Sequence, residues 1–218
     1  MGRGAVGRLS SGGRAPSRVG RLSSDVDQAL ALYAAGFFPM DDPQDALGPL
    51  PFYAAEERGL FELDERARAR LRRRVRRSVR AGAGWTLRAD TAFETVLDAC
   101  ARPRSPTDGI WITPRLAALY RDLHAAGHAH SFEIDADGRL GAGMIAVLLG
   151  RAAMLESMAH WVSHAGNVLV VRTLDHLAER GYHFADVQLA TQHTMRLGAR
   201  LISREQYERR LRAALTLS

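Results

Sequence analysis

The chain has 218 residues and 46% hydrophobic content, enough to bury a core as one large domain or two small ones. Its apolar runs, such as residues 144–149, are far short of the ~20 residues of a membrane helix, so no membrane partner is expected. The net charge is +6, yet residues 1–22 hold five Arg and no acid, residues 66–80 hold nine Arg and no acid, and the remainder carries −8. An acidic body with its basic charge gathered in two patches points to local contact with a polyanion. All 30 basic residues are arginine.

The single cysteine, Cys100, rules out an internal disulfide and fits a reducing, cytoplasmic compartment. It shares a helical face with Phe93, Val96 and Leu97 and reads as a buried structural thiol. No Cys/His cluster has the spacing of a structural zinc site, so no metal is expected.

Residues 1–22, rich in Gly, Ser and Arg, are expected to form a disordered basic tail. Ser24 is placed to cap a helix reaching about residue 35, with Val26, Leu30 and Tyr33 inward and Gly36 ending it. Phe37, Phe38 and Pro39 turn the chain, and residues 41–51 read as an acidic, proline-containing loop. A strand is predicted over 58–63 and a helix over 64–80. Nine Arg surround that helix's narrow stripe of Leu71, Val75 and Val79. A solvated face is one reading. The other is phosphate contact, which would relieve repulsion between like charges one turn apart. It makes Arg66, Arg70, Arg73, Arg74, Arg76, Arg77 and Arg80 candidate RNA-binding residues.

A strand over 85–89, a helix over 92–101 and a turn-rich loop over 102–108 follow. Trp111 then precedes a helix capped by Thr113, opened by Pro114 and stopped by Gly127. Trp111 suits the core, or stacking on a base. His128 and His130 alternate without an acid at ligand spacing and read as structural. Asp135-Ala136-Asp137-Gly138 marks a hairpin between strands over 130–134 and 139–147. A third strand is predicted over 152–158, a long helix over 167–180 and a short strand over 184–189. Ser203 and Gln206 form a capping box for a final helix. The second half thus orders as strand, strand, strand, helix, strand, helix, strand, helix, an α+β or mixed α/β arrangement.

In a strand over 184–189, Asp186 and Gln188 would share one face. A carboxylate and an amide side by side under covering helices need partners or ligands. A simply wet face is the alternative. The flanking elements, with His193 and Gly198-Ala199 after them, favour a site.

The D-x-Q at Asp186 and Gln188, followed by His193 and Gly198-Ala199, resembles the C-terminal signature of the leucyl/phenylalanyl-tRNA–protein transferases. The resemblance extends back through Leu155-Glu156-Ser157-Met158, Gly143-Met144, Gly127-His128-Ala129-His130-Ser131, Trp111-Ile112-Thr113 and Gly36-Phe37-Phe38-Pro39. It covers roughly residues 25–211 in one order. It implies a small N-terminal α/β domain over 23–90, carrying the Arg-rich helix, then a GNAT-like acyltransferase domain over 91–218 with a mixed sheet. The implied activity moves an aminoacyl group of the Leu, Phe or Met class from aminoacyl-tRNA to the N-terminal amine of proteins beginning with Arg or Lys, marking them for degradation. No cofactor is implied, and a monomer is expected.

The resemblance assigns catalysis to Asp186 and Gln188, the acceptor's cationic side chain to Glu156, the terminal adenosine to Trp111 and the donor side chain to Met144 and Met158. By their types alone, Glu156 equally suits a structural ion pair, and the two methionines suit plain core. Leu155 stands where the family usually has Gly, Ala159-His160 where it has Phe-Ser, and Gly166-Asn167 where it has Ser-Lys. Tryptophans usual near residues 40–53 are replaced by Met40 and Pro51-Phe52-Tyr53, and the aromatic expected around Ala153 is absent. A changed donor preference is therefore expected. A non-catalytic tRNA-binding relative is one alternative. A CoA-dependent N-acetyltransferase is another, but it needs a Gly-rich cradle where residues 162–167 hold a single Gly.

Overall fold

The computed structural model describes residues 17–22, 26–44, 48–103 and 112–216. Trp111, Ser24 and residues 1–16 lie outside them. Two sheets organise the chain. The smaller has the order β1 (Ser17–Leu22), β3 (Leu50–Ala54), β2 (Phe38–Pro39), all antiparallel. The larger has seven strands in the order β10 (Arg200–Ser203), β4 (Glu57–Glu62), β9 (Phe184–Asp186), β8 (Ala152–His160), β7 (Arg139–Leu149), β6 (Ala129–Ala136), β5 (Thr86–Ala89). Only β8 and β9 pair in parallel, across the long helix α6 (Ala165–Glu179); the other pairings are antiparallel. This is the mixed sheet of an α+β fold.

The two faces of the large sheet carry separate cores. One packs Ile145, Met154, Phe184 and Leu60 against α1 (Val26–Ala34), α4 (Phe93–Cys100), α5 (Pro114–Ala125) and α8 (Arg204–Leu215). The other packs Phe132, Met144, Leu155 and Ala185 against α2 (Glu65–Arg74), α3 (Arg76–Ala81) and α6. The remaining helix, α7 (Gln192–Leu197), follows β9. No helix among the described residues is long and apolar enough to cross a membrane.

Local chemistry accounts for most boundaries. Asp64 accepts the Ala67 amide at 2.9 Å to open α2, and Thr113 caps α5 with Pro114 in its first turn. Asp137 and Gly138 take φ of 55° and 81°, as a two-residue hairpin turn requires. Ser203 and Gln206 close the capping box of α8. The order of elements from residue 129 onward is the one predicted.

Three expectations change. The helix predicted over 64–80 breaks at Val75, where like charges one turn apart, Arg72–Arg76 and Arg73–Arg77, weigh against a continuous rod. Residues 17–22 of the expected tail pair with β3. The boundary expected at residue 90 does not separate two sheets. β4 lies inside the large sheet between β10 and β9, and β5 closes its far edge, so both belong to the sheet carried by the C-terminal half. Composition along the chain does not reveal such long-range pairing.

Helix α4 comes close to the sheet at Gly143. A Cβ there would sit 2.3 Å from Val96 Cγ2 of α4. Gly143→Ala is expected to cost about 1–3 kcal/mol, measured by denaturant unfolding. Adding Val96→Ala should restore much of that loss.

Candidate active site

The site begins with register. Leu60 of β4 and Met154 of β8 both pair with Asp186, which ends β9. Arg58 lies two residues before Leu60 and therefore shares its face. Both Arg58 and Asp186 are buried, at 1% and 0% exposure. Arg58 Nε donates to the two Asp186 oxygens at 3.0 and 3.1 Å, and Nη2 donates to Oδ2 at 2.7 Å. Arg58 Nη1 donates to the Gly36 carbonyl at 3.0 Å. The guanidinium lies over the rings of Phe38 and Tyr207, 4.5 and 4.4 Å from their centroids. Tyr207 Oη, from α8, donates to Asp186 Oδ2 at 2.7 Å.

Asp186 Oδ1 also accepts the backbone N–H of Gln188 at 2.7 Å. The strand has already ended at this point, and Gln188 takes φ of 53°. The expectation that Asp186 and Gln188 share one pleated face is therefore corrected. The carboxylate closes a tight turn, and the turn re-aims the glutamine. Gly59 completes the brace: its N–H donates to the Gln188 carbonyl at 3.0 Å, and its carbonyl accepts from Val187 N at 2.9 Å. A Cβ on Gly59 would come within 3.0 Å of Val187 Cγ2 and Ala190 Cβ.

The Gln188 side chain, 8% exposed, reaches across to β8. The surrounding carbonyls select the orientation in which its amide nitrogen donates to Val187 O and Leu155 O, at 3.1 Å each. Both donor hydrogens are then used, and the carboxamide oxygen faces the donor side of the site. Leu155 is the β8 residue just past Met154, where the paired register of β8 and β9 stops. Gln188 therefore sits where the two parallel strands part.

Glu156, 8% exposed, forms a second buried centre. Tyr33 of α1 donates to Oε1 and Tyr120 of α5 to Oε2, at 3.0 Å each. Burial pushes the carboxyl up to about 8, against the lowering effect of the two phenols. Burial likewise holds the Tyr33, Tyr120 and Tyr207 hydroxyls well above their ordinary value. The neighbouring Ser157 Oγ is buried and makes no hydrogen bond among the described residues.

A bulge separates the methionines from this face. The β7–β8 register runs from Ile145↔Ser157 to Ala146↔Leu155, leaving Glu156 as the extra residue. Unbroken alternation would place Glu156 and Met158 together. Instead Met144 and Met158, paired across β7 and β8, belong to the α6 side, where Met158 Cε lies 3.5 Å from the Cβ position of Gly166. Trp111 lies outside the described residues.

The Arg-rich helices divide by partner. Arg68 and Arg72 both bind Asp175 at 2.6 Å and also Glu65. Arg74 Nη1 donates to the Arg196 carbonyl at 3.2 Å, at the end of α7. The seven candidate RNA-binding residues, Arg66, Arg70, Arg73, Arg74, Arg76, Arg77 and Arg80, are all exposed. Of these, the side chains of Arg73, Arg76, Arg77 and Arg80 make no hydrogen bond or ion pair among the described residues.

Sequence reasoning missed Arg58 and the polar roles of Tyr33, Tyr120 and Tyr207. Arg58 opens the strand predicted over 58–63 and shares a face with the apolar Leu60, the one available sign of a buried charge. The three tyrosines sit at inward helix positions, where their hydroxyls require partners.

Two tests follow from this geometry. Asp186→Ala should lower unfolding free energy by about 3–5 kcal/mol by leaving Arg58 buried and unpaired. The double variant Arg58→Met/Asp186→Leu should be more stable than either of its single substitutions, as read by urea denaturation. The second test is pH. Glu156 rises from an ordinary 4.5 to about 8 on folding, so the folded chain keeps a proton that the unfolded chain loses. Its stabilising contribution is full below about pH 4.5 and is lost as pH rises through 8. The fall in melting temperature over that window should be shallower in Glu156→Gln than in the wild type.

Comparison with known proteins places the fold and the family. The fold is GNAT-like: the crystal structure of FemX superposes with a TM-score of 0.50 at 12% identity, over 81% of this chain and 66% of that one. A leucyl/phenylalanyl-tRNA–protein transferase from Synechococcus sp. (strain JA-3-3Ab) is 37% identical over 90% of this chain and 97% of its own. The protein of the same description from Nitrobacter winogradskyi is 37% identical over 88% of this chain and 84% of its own. The profile of the family described as leucyl/phenylalanyl-tRNA protein transferase matches residues 63–212, and with that match the chain belongs to this family.

Proposed function

We propose that this chain transfers an aminoacyl group of the Leu, Phe or Met class from aminoacyl-tRNA to the N-terminal amine of proteins beginning with Arg or Lys, marking them for degradation. It does so in the cytoplasm, as a monomer and without a cofactor. The observation that carries the proposal is the placement of Gln188, whose carboxamide nitrogen is held by Leu155 and Val187 where β8 and β9 diverge.

The chemistry asks for little beyond positioning. The aminoacyl ester is already activated, and an α-amine with a pKa of about 7.7–8.0 is partly neutral near pH 7. The amine nitrogen attacks the ester carbonyl. A C–N bond forms, the ester C–O bond breaks, and the proton shed by the amine ends on the released ribose hydroxyl. Gln188 accepts a hydrogen bond from the attacking amine and orients it. Asp186, already bound to Arg58, is a positioning residue that acts through the Gln188 backbone. Glu156 receives the cationic side chain of the acceptor. That cation replaces the proton burial favours, so docking would be linked to proton release. Met158, with Met144 behind it, forms the apolar wall for the donor side chain. The seven exposed Arg of α2 and α3 bind the tRNA backbone.

Transfer of radiolabelled Leu, Phe and Met from their tRNAs to an Arg-initiated peptide is the test. Wild-type protein should transfer at least one of them. Gln188→Ala should keep tRNA affinity and lose about 10²-fold or more in kcat. Wild-type protein that binds tRNA but transfers none of them would leave a non-catalytic RNA-binding relative.

A further inference from the structure

Trp161 is a large apolar side chain that the core does not use. It is 47% exposed, directly after β8. Its backbone is nevertheless fixed: Trp161 N donates to the Gly141 carbonyl at 2.8 Å, and Val162 N donates to the same oxygen at 3.1 Å. An exposed ring on a pinned backbone loses little further freedom when something stacks on it.

Its surroundings identify the partner. Three residues on, His164 takes φ of 72° and places Nδ1 3.1 Å from Ser78 Oγ of α3. Asn167 Nδ2 donates to the same Ser78 oxygen at 3.0 Å. A Cβ on Gly82, just past α3, would lie 2.8 Å from Val168 Cγ2 of α6. The loop bearing Trp161 is therefore stitched to the basic helix, where Ser78 is flanked by the exposed Arg77 and Arg80. On its other side, Trp161 continues the strand that carries Glu156 and Met158. Along the chain, the ring therefore lies between the segment pinned to the basic helix α3 and the strand that carries Glu156 and Met158. An unpaired RNA end passing the ring offers bases on one side and phosphates on the other, and aromatic rings beside cationic side chains bind such strands.

We propose that Trp161 stacks on a base of the unpaired 3′ end of the tRNA as that end passes from the arginines of α3 to the acyl-transfer site. The proposal rests on the functional reading above and deepens it. Binding is measured at one fixed salt concentration with full-length wild-type, Trp161→Ala and Trp161→Phe proteins. The probes are an intact uncharged tRNA and the same tRNA without its unpaired 3′ nucleotides. Trp161→Ala should bind intact tRNA about 5- to 150-fold more weakly than wild type, and Trp161→Phe should recover most of the loss. Both should bind the truncated tRNA as wild type does. Equal weakening for the two RNAs, or none for either, overturns the proposal. So does an effect confined to the KM of the acceptor peptide, which would place the ring against protein. Wild-type protein that binds neither RNA sinks the functional reading and this proposal together. Wild-type binding to intact tRNA that Trp161→Ala matches sinks this proposal alone.

Discussion

The ion pair between Arg58 and Asp186 is the constraint on which the rest of the structure depends. Its two charges come from adjacent strands that are 128 residues apart in sequence. Taking both from water costs several kcal/mol per ion, so the pair persists only because its other needs are met. The guanidinium uses all three nitrogens, on Asp186, the Gly36 carbonyl and Tyr207 Oη, and it also meets the rings of Phe38 and Tyr207. The carboxylate accepts from Arg58, Tyr207 and the Gln188 amide. One pair therefore ties the turn after α1, strand β4, strand β9 and helix α8 into a single unit.

That tie explains why the N-terminal third does not stand apart. β4 supplies Arg58 and Gly59 and pairs with both β9 and β10. α1 supplies Tyr33 to the Glu156 centre. Two buried carboxyls within electrostatic reach of one another, Asp186 and Glu156, share one buried cation. Asp186 is salt-bridged to that cation, while burial pushes Glu156 up to about 8, so near neutral pH it holds a proton. A carboxyl raised by burial beside one held in an ion pair can divide roles within a site. Here one carboxylate is fixed by an ion pair and a turn, and the other keeps its proton.

Much of this was legible in the sequence because local chemistry carries it. The Asp137-Gly138 hairpin, the Thr113-Pro114 helix start and the Ser203/Gln206 box each depend on a few neighbouring side chains, and each stands where it was expected. Asp186 and Gln188 were visible as polar residues in a covered segment. What was not legible depends on distant partners. Periodicity cannot reveal the left-handed turn at Gln188, because the turn is held by Asp186 and by Gly59 on another strand. The bulge at Glu156, which sends Met158 to the opposite face, appears only in the β7–β8 register. Arg58 looked like the polar first residue of a strand until its partner was in place. Among the arginines, the sequence shows the patch, while Asp175 on α6 decides that Arg68 and Arg72 are held internally.

The central claim is that the Arg58–Asp186 pair positions Gln188 through its backbone amide. Hydrogen exchange at that amide, read by NMR in the wild type and in Arg58→Met, tests it most directly. The account expects strong protection of the Gln188 N–H in the wild type, and faster exchange with a lower rate of transfer in the variant. A Gln188 amide that exchanges in the wild type as quickly as an exposed loop would contradict it.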